Sequence, residues 1–262
     1  MYENAVISAS PLYTGIRKCQ NLRLVIGMKK TDTQIDRLRA VVFDFDGTLA
    51  RLEIDFDLMR RRVRDLGLAF GLTSKDFDGG YVLENMDAAR KKLAGIDQDR
   101  ADSFYRQAMD AVERIEIESA RQGGLFPEVR SALAGLKSAR YDLAVITRNM
   151  GPAVLTVFPD LTEYCPVFLP REKVTRVKPD PEHLLNALRL MDIPPEEALM
   201  VGDHPIDILT GQAAGSMTCG VASGRISREE LARAGADLTF DHVGQLADHL
   251  LGRSNLDASA AL

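Results

Sequence analysis

The stretch Ala40-Val41-Val42-Phe43-Asp44-Phe45-Asp46-Gly47-Thr48 decides the fold. Its first part is apolar without alternation, so Ala40–Phe45 reads as a strand covered on both faces. Four more runs of this kind follow: Tyr141–Ile146, Val167–Leu169, Ala198–Val201 and Met217–Val221. Helical patterns lie between the later runs. Asp180 is placed to cap a helix with Pro181 at its first position, and Leu184, Leu185, Leu188 and Met191 form its apolar stripe. Ser227 and Glu230 make a capping box at the start of another. Strands alternating with helices predict a doubly wound parallel α/β sheet.

The alternation breaks between Leu49 and Gly124. Phe56, Met59, Val63, Leu66 and Phe70 recur at helical spacing, as do Phe104, Ala108, Ala111 and Ile115. No strand-like run separates them, and the segment ends in the turn Gly123-Gly124. A helical domain, 51–123, is thus expected to interrupt a sheet domain made of 39–50 and 124–252. Residues 1–38 carry no clear pattern, with a plausible alternative start at Met28, and 253–262 read as a tail.

Composition narrows the functional classes. The 262 residues are 45% hydrophobic and 27% charged, enough apolar material for a sizeable core. A formal net charge of −5 and a pI near 5.5 give no electrostatic case for nucleic acid or an anionic membrane. The longest apolar stretches fall short of a membrane span. No signal-peptide order is visible, so a cytoplasmic location is expected. Cys19, Cys165 and Cys219 are far apart and odd in number, which suits reduced core thiols. The sequence carries no signal for an oligomeric state.

In an open α/β sheet, ligands bind at the carboxyl ends of the strands. The first strand ends in Asp44-Phe45-Asp46-Gly47-Thr48, the second in Thr147-Arg148-Asn149 and the fourth in Gly202-Asp203-His204-Pro205-Ile206-Asp207; Lys178 precedes the capped helix after the third. Four carboxylates, a lysine and a hydroxyl therefore meet at one edge. Two carboxylates about 4 Å apart repel by roughly 4 kcal/mol at an effective dielectric near 20. A divalent cation and one ammonium would compensate most of that charge. Hard oxygen ligands at an open site favour Mg²⁺, and the lack of a His or Cys cluster disfavours zinc. Of Asp44 and Asp46, one can attack phosphorus while the other handles the leaving group's proton. Gly47 lets backbone approach a phosphate. Thr147 supplies a hydroxyl, the amides after it, from Arg148 on, can cradle phosphoryl oxygens, and Lys178 can neutralise charge on the transferring group.

These segments resemble the haloacid dehalogenase superfamily. D-x-D-G-T matches Asp44 through Thr48, the second-motif hydroxyl matches Thr147, the basic third motif matches Lys178, and G-D-x-x-x-D matches Gly202-Asp203 through Asp207. The resemblance implies a Rossmann-like core with Asp44 as nucleophile and Asp46 as general acid, then base. It implies Mg²⁺ held by Asp44, the main-chain carbonyl of Asp46, and Asp203, with Asp207 supporting the metal shell or orienting Lys178. Phe126-Pro127-Glu128-Val129, Thr147 and Lys178-Pro179-Asp180-Pro181 look most like the phosphoglycolate phosphatase branch, whose helical cap falls where this chain has its insertion. Three positions depart from that branch: Arg148 stands where Asn is usual, Glu128 where Gly is usual, and Arg51-Leu52-Glu53 replace a common Asp-Ser.

The expected activity is hydrolysis of a small phosphorylated metabolite such as phosphoglycolate. A phosphomutase shares the two aspartates, and a phosphonatase would need a cap lysine from Lys75, Lys91 or Lys92. A non-catalytic binding protein of the same fold is the alternative from another class. His204 reads as a structural or rim residue. Along the first cap helix, Arg60 and Arg62 flank the apolar stripe while Arg61 and Arg64 point away from it, so Arg60 or Arg62 is the one expected to meet an anionic substrate; a solvated basic face is the bland alternative.

Overall fold

In β1 (Ala40–Phe43) all four side chains are buried. Val41 and Phe43 enter one apolar cluster and Ala40 and Val42 the other, which is why the run does not alternate. The structure is a computed structural model describing residues 32–260, and side chains from 34 to 252. Residues 1–31, with Cys19 and Met28, and the side chains of the 253–262 tail lie outside the described residues.

A single helical turn, α1 (Asp32–Ile35), precedes β1. Beyond it the two-residue strand β2 (Ala50–Arg51) leads into helices α2 (Phe56–Ala69), α3 (Val82–Ala94) and α4 (Gln98–Gln122). The chain returns through β3 (Gly124–Leu125), antiparallel to β2. There follow α5 (Val129–Ser138), β4 (Asp142–Ile146), α6 (Gly151–Val157), α7 (Leu161–Tyr164), β5 (Val167–Leu169) and α8 (Glu182–Met191). The last part comprises β6 (Ala198–Gly202), α9 (Pro205–Ala214), β7 (Met217–Val221), α10 (Arg228–Arg233), β8 (Leu238–Phe240) and α11 (Val243–Ala260).

Six strands form one sheet, ordered β5-β4-β1-β6-β7-β8, and every pairing in it is parallel. The expected doubly wound α/β class holds. Val129, Leu133 and Leu136 of α5 and Val243, Leu246 and Leu250 of α11 cover one face; Leu184, Ala187 and Leu188 of α8 cover the other. The chain winds outward from β1 to β4 and β5, then returns to the opposite side at β6. That reversal puts β1 at the switch point, where a crevice opens beyond the strand ends.

Local details differ from the sequence reading. β1 stops at Phe43 because the next residues fold back: the amides of Leu49 and Ala50 donate to Phe45 O (2.9 and 3.0 Å). β8 escaped notice because its three residues are only half-buried and include Thr239. β2 and β3 are too short to leave a pattern, yet they clasp the two ends of the helical insertion. α8 starts one residue later than expected, with Pro181 as its N-cap, although Asp180 still accepts from Glu182 N (2.9 Å); the Ser227–Glu230 capping box forms. Cys165 and Cys219 are free and buried, and burial pushes both thiols up.

The buried face of α4 is Ala101, Phe104, Ala108, Val112 and Glu116, whereas the expected Ala111 and Ile115 lie on its half-buried flank. Glu116 does not read as a core residue, but Arg171, from the loop after β5, pairs with it; the two side chains are only 6% and 5% exposed. Glu116 Oε2 and Arg171 Nε have no partner among the described residues, so this pair is incompletely satisfied. Ala120 packs with Met150 and Ala153 beside it, fixing α4 against α6.

Removing one partner of a buried ion pair strands the other charge. Arg171→Met is expected to destabilise the protein by about 3–5 kcal/mol in urea unfolding. Adding Glu116→Leu should recover most of that loss. A single-variant cost below about 1 kcal/mol would show that the pair is not closed.

Candidate active site

Asp44 N donates to Val201 O (2.8 Å), so the first residue past β1 still follows β6. The Asp44 carboxylate thereby lies beside the end of β6, where the chain runs on through Asp203 to Asp207 in the first turn of α9. Lys178 arrives from the loop between β5 and α8 and completes the group. Its ammonium contacts Asp44 Oδ1 (2.5 Å) and Asp207 Oδ1 (2.6 Å), with Lys178 only 2% exposed. Asp207 Oδ2 accepts from His204 N (3.2 Å), so Asp207 is held at both oxygens. Asp46 is fixed by Leu52 N, which donates to Oδ1 (3.0 Å). Thr147 is buried, and its hydroxyl oxygen accepts from Asn149 N (3.1 Å).

Glycines let the chain close around these carboxylates. Gly47 has φ +81°, and a Cβ there would sit 2.3 Å from Asp203 Oδ2. Gly224, after β7, approaches the same oxygen more closely still, at 1.8 Å from a notional Cβ. Both positions require glycine.

The group opens into a cleft of about 780 Å³ between the strand ends and the helical insertion. Asp44, Asp46, Gly47, Thr147, Arg148, Lys178, Asp203 and Asp207 all line it. The Arg148 guanidinium makes a bidentate pair with Glu84 of α3 (2.7 Å at both nitrogens), stacks over Tyr81 (5.2 Å to the ring centroid) and donates to Lys178 O. Arg171 donates to Arg148 O (3.1 Å) and also pairs with Glu116. The Thr147–Asn149 loop is therefore tied to the insertion at two points. His204 caps α9 by accepting from Ile206 N and meets Tyr81 edge-on at the cleft wall. Arg60 lines the cleft and pairs with Asp57 (2.6 Å); Arg62 is exposed and does not line it.

The family model of haloacid dehalogenase-like hydrolases matches residues 41–221. The chain belongs to that family. It is 31% identical to a plasmid-encoded phosphoglycolate phosphatase of Cupriavidus necator, over 79% of this chain and 90% of the relative. It is 32% identical to an N-acetylmuramic acid 6-phosphate phosphatase of Pseudomonas aeruginosa, over 82% and 95%. A solved haloacid dehalogenase-like protein of Bacteroides fragilis superposes with TM-score 0.60 at 28% identity, over 80% of this chain and 99% of that one. The expected phosphatase-type enzyme of this family holds. Among the described residues, no helix is long and apolar enough to cross a membrane.

As in the family motifs, the acidic residues outnumber their cation. Asp44, Asp203 and Asp207 each bring a carboxylate oxygen within 4.8 Å of the others. Burial raises the Asp44 carboxyl to about 6, although Lys178 pulls against it. Asp46 goes up to about 7, chiefly by burial and against the Leu52 hydrogen bond. Asp203 goes up to about 8, by burial and by the charges of Asp44, Asp207 and Asp46. Burial opposes the Lys178 ammonium, but Asp207 and Asp44 outweigh it and raise its pKa. This uncompensated negative charge, carried by hard oxygen donors, fits a divalent cation held by Asp44 and Asp203.

Sequence reasoning overlooked two supports of this site. His183 is buried under Lys178: its Nδ1 accepts from Lys178 N (3.2 Å) and its Nε2 donates to Leu169 O (2.9 Å). Burial lowers it to about 4, so it stays neutral. A histidine in the first turn of an amphipathic helix leaves no sequence signal for this role. The second support is Ser223, whose hydroxyl donates to Gly47 O (2.7 Å). It lies at the carboxyl end of β7, where the strand-end rule would have found it.

A carboxyl whose folded pKa is raised stabilises the fold at low pH, and that contribution disappears as pH rises through the folded value. Above about pH 7 the buried His183 is neutral folded or unfolded, so it no longer offsets the effect. Metal-free protein should therefore lose about 3 °C or more of Tm between about pH 7 and 8.5, with Mg²⁺ restoring more at the higher pH. A flat Tm, with equal Mg²⁺ effects at both values, would contradict the charge imbalance.

Proposed function

We propose that the protein is a Mg²⁺-dependent phosphomonoester hydrolase acting through an aspartyl-phosphate on Asp44, with a small phosphorylated metabolite such as 2-phosphoglycolate as substrate. The observation that carries this reading is the Lys178 ammonium between Asp44 and Asp207, with Asp46 held separately by Leu52 N. Lys178 favours an ionised Asp44, as a nucleophile requires. Asp46, at about 7, suits a group that gives a proton in one half-reaction and takes one in the next.

In the first step an Asp44 oxygen bonds to phosphorus, the bond to the ester oxygen breaks, and Asp46 gives its proton to the departing alcohol. In the second, water loses a proton to Asp46 and attacks phosphorus, and cleavage of the Asp44–phosphorus bond releases inorganic phosphate. Lys178, the Thr147 hydroxyl and the Arg148 amide hold the phosphoryl oxygens; the Arg148 side chain, engaged by Glu84, instead ties this loop to the cap. Mg²⁺ would be held by Asp44, the main-chain carbonyl of Asp46, and Asp203, and would neutralise charge building on the phosphoryl group. Asp207, with both oxygens occupied, orients Lys178.

The cap helices shield the acyl phosphate from bulk water. Lys178 is the one lysine among the described cleft residues; Lys75, Lys91 and Lys92 of the cap do not line it, which disfavours a phosphonatase.

Asp44→Asn should leave at most a few per cent of wild-type turnover of p-nitrophenyl phosphate with the fold intact by circular dichroism; substantial remaining activity would rule out the covalent route. Asp46→Asn should lower kcat on an alkyl phosphate by roughly 10²–10⁴-fold. Exhaustive chelation should abolish activity and Mg²⁺ restore it. Ca²⁺, with more ligands at longer distances, should inhibit. Full activity after chelation would remove the metal from the mechanism.

A further inference from the structure

Four arginines line the cleft: Arg51, Arg60, Arg148 and Arg225. Two are already paired, Arg148 with Glu84 and Arg60 with Asp57. Arg51 lies over the Phe126 ring (5.7 Å to the centroid) beside the β2–β3 clasp, on the side of the cleft where the insertion joins the core. Arg225 has no carboxylate within ion-pair distance among the described residues, and its guanidinium lies over the Phe56 ring, 5.6 Å from the centroid.

The position of Arg225 is set by the catalytic groups themselves. Ser223, two residues earlier, donates to Gly47 O, and Gly224 packs directly on Asp203. The side chain that follows reaches across to α2, where Phe56 and Arg60 are one helical turn apart and share a face. Its charge is felt at Asp46 on the core side and at Asp57 on the cap side. A leaving group whose ester oxygen sits at Asp46 and whose remainder extends toward the cap therefore passes Arg225. A guanidinium stacked on an aromatic ring keeps its in-plane N–H donors free, in the fork that matches a carboxylate.

We infer that Arg225 is the specificity-determining residue of this site: it binds a carboxylate carried by the leaving group, with Phe56 holding its guanidinium plane and Arg60 adding positive charge from the cap. This rests on the hydrolase reading above and deepens it by naming the residue that reads the carboxylate of a hydroxy-acid ester. Esters of uncharged alcohols leave Arg225 unpaired and are poorer ligands.

Binding can be read apart from turnover in the Asp44→Asn protein with Mg²⁺ by calorimetry. 2-Phosphoglycolate and ethyl phosphate are nearly equal in size, and only the first carries a carboxylate. The first should bind at least about 10-fold more tightly, and adding Arg225→Ala should weaken it about 10–100-fold while shifting ethyl phosphate less than about 2-fold. Arg225→Lys should keep part of the preference, and Arg51→Ala all of it. Equal binding of the two esters, equal weakening of both by Arg225→Ala, or a preference that disappears with Arg51 instead would overturn the assignment. Failure of the hydrolase reading shows separately, as wild-type protein that does not turn over p-nitrophenyl phosphate.

Discussion

An ammonium 2% exposed to solvent, gripped by one carboxylate just past β1 and one in the first turn of α9, is the constraint around which this structure is arranged. Burying a charge costs several kcal/mol unless it is paired and hydrogen-bonded. Lys178 escapes that penalty only if Asp44 at the end of β1 and Asp207 at the start of α9 reach it together. Its own backbone is fixed as well, since His183 takes Lys178 N and anchors on Leu169 at the end of β5. The carboxyl ends of three strands of the sheet are thus tied to one residue, through its ammonium and its backbone N–H. The remaining acidity, Asp46 and Asp203, is what gives the edge its chemistry.

The phosphate-side loop and the cap are coupled through a second set of charges. Arg148 bonds to Glu84 with its side chain, while its carbonyl accepts from Arg171, which pairs with Glu116. Both acidic partners belong to the inserted helices, so movement of those helices strains the loop that carries Thr147. The Thr147–Asn149 loop is thereby fixed to the inserted helices through both the side chain and the backbone of Arg148.

Much of this was legible in the sequence because it depends on local pattern. Ala40–Phe43 reads as a doubly covered strand since both its faces are apolar, and the strand-end rule gathers Asp44, Thr147, Lys178 and Asp203 without any knowledge of their distances. What escaped had no local signal. Glu116 is a carboxylate on a polar helix, and only a partner 55 residues away makes it a core residue. Arg148, read as part of the phosphate pocket, sends its side chain to Glu84, a partner 64 residues away. Arg60 lines the cleft as its flank position suggested and Arg62 does not, a difference of rotation that helical phase alone could not resolve. Arg225 lay at a strand end already recognised, but the motifs drew attention elsewhere.

Covalent catalysis by Asp44 is the claim on which the functional account depends. An acyl phosphate is reduced by borohydride, whereas a free carboxylate is not, so quenching the protein with borohydride during turnover of a phosphate ester, followed by peptide mass mapping, interrogates it directly. Reduction is expected at Asp44 alone, and only when substrate and Mg²⁺ are both present. Phosphate release with no reduced aspartate, or reduction at another residue, would contradict it.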